Sequence, residues 1–301
     1  RNWYNYGKIS QTEGAARVLY CGGAVGYSAA ALNNNYTNIH NYGEVEVKNI
    51  DFLSICVGGI FGATLSNSAY EKTNRMSNLT NNASVTVADV TQLTGHTTAG
   101  YFRVGGVSGW IQHNLEDAVN NKEGVITITN ASLYNNETNL NCFCVGGVVG
   151  YCQAVIRDCE NTGKVSYVIP VQTESSATRP AVGGVVASTL HSVYNSINRG
   201  EVYVEGTWSS AGTKGAQGTG GQVQPNFGGV AGSVGHYSIV GSNVIDNCVN
   251  YGTLTLKPAI LPTAGTQNYF GGVVGWSSVN VTNCYNYGDM TVTSGGLYAY
   301  C

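Results

Sequence analysis

The chain has 301 residues and a net charge of −3, and charged residues make up only 10% of it, against about 25% in an ordinary soluble domain. No cluster of Lys and Arg offers the basic face that phosphate neutralisation requires, which argues against nucleic-acid binding. The apolar runs are short and broken by glycine, and Arg1 to Asn5 has neither the basic start nor the apolar core of a secretory signal, so no membrane insertion is expected. Glycine stands at 41 residues and tyrosine at 20 against 6 phenylalanines; this mixture describes an all-β chain with many turns.

In chain order, the first recognisable element is Asn5-Tyr6-Gly7, followed by Ile9 and Gln11. Residues that tolerate positive φ lead into a strand with side chains alternating in and out. The next is Gly22-Gly23-Ala24-Val25-Gly26, and the two then alternate along the chain. The Gly-Gly block returns from Gly58, Gly105, Gly146, Gly183, Gly228 and Gly271, at spacings of 36, 47, 41, 37, 45 and 43 residues. The Asn-x-Gly block returns at Asn41, Asn161, Asn198, Asn250 and Asn286; degenerate copies stand at Asn81-Asn82-Ala83 and at Asn121 with Gly124. Two residues after each turn glycine lies Ile9, Val45, Val85, Ile126, Val165, Val202, Leu254 or Met290. Two further on come Gln11, Val47, Val87, Ile128, Tyr167, Val204, Leu256 and Val292, with mostly polar residues between the two columns. That period-two pattern predicts half-buried strands.

Self-similarity at this period predicts a β-solenoid (a β-helix) of about seven to eight Gly-Gly-V-x-G / N-x-G-x-V repeats, their apolar columns stacked into a single continuous core. The bare glycines are expected where a stacked coil or a corner leaves no room for a Cβ. All five prolines (170, 180, 225, 258 and 262) and the stretch Gly212 to Gly221 fall between an Asn-Gly strand and the next Gly-Gly block, and are read as loops projecting from the rod. Residues 1–301 are expected to form one repeat-array domain cut from a longer array at both ends. Asn2 to Gly7 matches Asn283 to Gly288, and Leu297 to Cys301 resembles Leu19 to Cys21, which runs into a Gly-Gly pair.

Nine cysteines cannot pair completely among themselves, and none stands in a CxxC pair of zinc spacing. They read as small thiols of the interior, with disulfides between neighbouring coils as the alternative. Asp158 and Asp246, each placed just before a Cys-x-Asn, read as matching turn residues rather than an acid/base pair. Tyr6, Tyr42, Tyr251 and Tyr287 recur at one turn position, as a stack over the coil edge or as a carbohydrate-stacking row. No catalytic, cofactor-binding or metal-ligating residue is predicted.

The Gly-Val-Val-Gly cores at 147–150 and 272–275, each followed by Asn-x-Gly, resemble the GLUG-type repeat. That repeat occurs in large bacterial surface proteins, among them adhesin-like proteins and the non-catalytic part of some immunoglobulin-A-cleaving metalloproteases. The resemblance covers essentially the whole chain. It implies a β-solenoid stalk or adhesive segment, extracellular or at the cell surface. Its partners would be neighbouring repeats, further copies, or environmental protein or glycan. The metalloprotease activity does not carry over, because no histidine here begins a His-Glu-x-x-His motif. The expectation is a non-catalytic structural or adhesive segment, with a polysaccharide-degrading β-helix enzyme as the alternative.

Overall fold

The computed structural model describes residues 2–30, 35–66, 74–93, 100–132, 143–169, 180–207, 226–235, 243–259, 267–293 and 298–300. Among them every regular element is a strand and every strand pairing is parallel. The chain winds as a β-solenoid, one sequence repeat per coil, with like positions on adjacent coils hydrogen-bonded to one another.

One coil illustrates the path. Phe143–Gly146 runs to the Gly-Gly block, the chain reverses at Gly147 and Val148, and Val149–Cys152 runs back. Ile156–Arg157 and Glu160–Asn161 follow, then the turn at Thr162 and Gly163, then Val165–Ile169. The next coil begins with Pro180–Gly183, which pairs with Phe143–Gly146. Three sheets result. The strands after each Gly-Gly block build a seven-stranded sheet; those around each asparagine build a twelve-stranded sheet. The strands after each Asn-x-Gly turn and those before each Gly-Gly block build one of sixteen.

The two apolar columns read from the sequence are register columns of the last sheet. Val45, Val85, Ile126, Val165, Val202 and Leu254 pair in succession, as do Val47, Val87, Ile128, Tyr167, Val204 and Leu256. All of these are at most 1% exposed, so each contributes on the order of 1.5–3 kcal/mol of burial. In a parallel stack every rung places like on like, so β-branched side chains pack against copies of themselves along the axis.

The expected single core is in fact divided. The columns just named pack with Ile55, Val57, Phe102, Val104, Val145 and Val182 in one cluster. The valines of the Gly-Gly blocks (Val107, Val148, Val185 and Val230) lie in a second, with Met76, Leu79, Ile111, Leu115 and Ile156. What separates them is main chain against side-chain amide. A Cβ on Gly147 would lie 2.4 Å from Cγ of Asn161, and one on Gly184 would lie 2.2 Å from Cγ of Asn198. The second glycine of each pair thus presses onto the asparagine of its own coil, and the two sequence blocks meet across the coil with no space for apolar side chains between them.

The prolines also depart from the reading as projecting loops. Pro180 opens the buried strand Pro180–Gly183, and Pro258 lies in Leu254–Ala259. Among the described residues, each stands where its strand is paired on one side only. Phe143 partners Pro180 while the pairing to the following coil starts at Ala181; Gly206 partners Pro258 while the pairing to Met290–Val292 ends at Leu256. A residue without an N–H is tolerated at such an edge. Pro170, Pro225, Pro262 and the stretch Gly212 to Gly221 lie outside the described residues.

Candidate functional site

The most organised constellation of polar side chains is a ladder of asparagines running the length of the rod. Asn5, Asn41, Asn81, Asn120, Asn161, Asn198, Asn250 and Asn286 are successive register partners. Each Nδ2 donates to Oδ1 of the next, at 2.7–2.9 Å. Its second hydrogen goes to a turn carbonyl, as from Asn161 to Gly163 O at 2.8 Å. From Asn41 to Asn250 these side chains are at most 1% exposed. An unpaired amide at such depth costs about 1–3 kcal/mol, and the ladder removes that penalty by pairing each one. The residue in register in the fourth rung is Asn120, not Asn121. Two extra residues widen that turn, so Asn120 Nδ2 reaches Gly124 O at 2.7 Å across four positions instead of two.

A second column, missed in the sequence, lies three residues before seven of the eight ladder asparagines. Asn38, Asn78, Asp117, Asp158, Asn195, Asn247 and Asn283 all have φ between 48° and 58°. Asn and Asp are the side chains that most readily take this left-handed conformation, and here they turn the corner of the twelve-stranded sheet. The signal was an Asn/Asp-x-x-Asn spacing in every copy, which also selects Asn120.

This column corrects the pairing of Asp158 with Asp246. Asp158 stands in register with Asn195 and Asn247; Asp246 aligns one position earlier, with Tyr194 and Arg157. Asp158 is the turn residue expected. Asp246 accepts hydrogen bonds from Thr282 Oγ1 at 2.7 Å and Asn283 Nδ2 at 2.9 Å. The Thr282 and Asn283 bonds hold its carboxyl below the usual range, the opposite of what a general acid at neutral pH needs.

The recurrent tyrosines stack on one another. Tyr6 and Tyr42 lie 5.1 Å apart at 11°, and Tyr251 and Tyr287 lie 5.2 Å apart at 15°. The Arg199 guanidinium covers Tyr251 at 4.6 Å and is held by Glu160 at 2.7 Å. One face of each ring is thus covered by a neighbouring coil, while Tyr6 and Tyr287 remain 72% and 65% exposed. This geometry is an aromatic stack over the coil edge.

Two other features stand apart from the ladder. Arg103, 8% exposed, is boxed by Trp110, Tyr151 and Tyr101 at 3.9, 4.2 and 4.6 Å, an arrangement that offsets part of its desolvation. A recess of about 320 Å³ opens beside the first coil, lined by Trp3, Val25, Asn35, Tyr36, Thr37 and Ile39; these described residues include no carboxylate, imidazole or thiol. Among the described residues no group of three or more His, Cys, Asp or Glu gathers as a metal-ligand set. The seven described cysteines form no disulfide with one another, and burial pushes Cys56, Cys152 and Cys159 up to about 12, so these three behave as small hydrophobes.

The geometry defines a parallel β-solenoid with two cores and an axial amide ladder. No family model, no curated protein and no solved structure matches the chain.

Proposed function

We propose that this chain is a non-catalytic structural or adhesive segment of the GLUG type, working outside the cell or at its surface as part of a rod, stalk or filament. The observation that carries the reading is the asparagine ladder. The positions that recur in every repeat are spent on axial continuity, through Asn-to-Asn bonds and glycines fitted against them, and not on a convergent cluster of reactive groups. Low charge supports the same reading, because a surface of Tyr, Asn, Thr and Ser suits lateral contact with protein, glycan or further copies better than electrostatic capture.

Electron microscopy of the native material is the direct test: elongated rods or filaments about one coil wide are expected. A glycan array probed with the isolated chain addresses adhesion. A reducing-end release assay over acidic and neutral polysaccharides addresses the enzymatic alternative; sustained turnover there would overturn the proposal.

A further inference from the structure

Cys248 and Cys284 occupy one position on adjacent coils. The flanking partners Asp246 with Thr282 and Val249 with Tyr285 fix them in register. Parallel rungs stand about 4.8 Å apart, within the Cα separation of about 4.4–6.8 Å that a disulfide bridges. Both thiols lean along the same edge. Cys248 Sγ donates to Asp246 O at 3.4 Å and Cys284 Sγ to Thr282 O at 3.1 Å, while Cys284 Sγ also lies 3.6 Å from Ile245 O of the neighbouring coil. No other two described cysteines share this relation. Cys159 lies in the same column but Ser196 separates it from Cys248, and Arg103 stands between Cys56 and Cys144.

We propose that Cys248 and Cys284 form an oxidisable staple, closed by a small-molecule disulfide, that covalently joins two successive coils. The Cys284 thiolate attacks one sulfur of the small disulfide, whose S–S bond breaks and whose other half leaves as thiolate. Cys248 then loses its proton and attacks Cys284 Sγ. The mixed disulfide breaks, the second small thiolate leaves, and the Cys248–Cys284 bond forms. Two protein thiols are oxidised and one small disulfide is reduced to two thiols. The order of events follows from burial: Cys248 is 0% exposed, whereas Cys284 is only half-buried. It also follows from acidity. Contact with the Cys248 thiol lowers the Cys284 thiol, against the opposing effects of desolvation and of Asp246, and the same contact pushes Cys248 up. The lowered thiol is the more readily ionised of the two, as the attacking sulfur must be. The inference stands independently of the surface role proposed above.

The experiment uses the intact chain, fully reduced and then exposed to oxidised glutathione under native conditions. Alkylation and peptide mass spectrometry are expected to find a Cys248–Cys284 cross-link and both thiols withdrawn. The C248S variant should stop at a glutathione adduct on Cys284, and C284S should leave Cys248 reduced. Ser196 already occupies this column, so serine fits the site, and circular dichroism confirms that each variant is folded. Both thiols remaining alkylatable in folded, oxidant-treated protein would overturn the proposal. So would a C248S variant free of adduct, or a cross-link joining either cysteine to a different partner.

Discussion

Gly7 and Gly200 belong to one column of the rod yet face opposite environments. A Cβ on Gly7 would meet only Asn5 Oδ1 at 3.8 Å, whereas one on Gly200 would lie 2.0 Å from Gly163 O and 2.7 Å from Asn161 Nδ2. The obstacle is the carbonyl of the preceding coil, so the demand for glycine comes from stacking and not from the turn itself. Gly200→Ala is therefore expected to destabilise by about 3 kcal/mol, since main chain must move, and Gly7→Ala by no more than about 0.5 kcal/mol; urea unfolding of the two variants measures the contrast. Glu46 offers a second residue-scale check. Its bonds to Lys48 and then Lys8 hold the carboxylate down at about 2. The folded value lies below the unfolded one of about 4.3, so the stability it contributes is present above that pH and is lost as pH falls towards 2. Carbon-detected titration should find the low midpoint, and Lys48→Met should raise it.

At the scale of the strand, much is legible in the sequence. Val85, Ile126 and Val165 could be aligned by counting two residues past the turn, because an alternating pattern at a recurring turn leaves one consistent register. The Gly-Gly block also signalled close approach. What it did not reveal was the thing approached, since the glycine and its partner asparagine lie 14 residues apart at Gly147 and Asn161 but 22 apart at Gly59 and Asn81. Nor could composition tell a strand-opening proline such as Pro180 from one in a loop, because the distinction rests on which neighbouring strand is present. The Asn/Asp-x-x-Asn spacing, by contrast, was in the sequence throughout. It was obscured because half the information sits in a corner residue of either type, and because Asn121 sits beside Asn120 as a decoy.

For the molecule as a whole, coils that contact mainly their neighbours make stability a sum of rung terms and interfaces between rungs. Excising residues 146–182 removes one complete coil and sets Val145 directly before Gly183, the register partner of Gly146. The shortened chain should keep its far-ultraviolet dichroism and unfold cooperatively, its rod shorter by about 4.8 Å. Excising half a coil would bring unlike columns into register and should abolish the fold.

The asparagine chain also gives the rod a sense of direction. Every one of its asparagine-to-asparagine bonds runs the same way, from the coil earlier in sequence to the later one. Aligned amides polarise one another and their moments add, much as peptide units do along a helix. The result is a permanent axial dipole buried within a nearly uncharged body, and rods in dilute salt should orient with a common sense under an applied electric pulse, as transient birefringence would register.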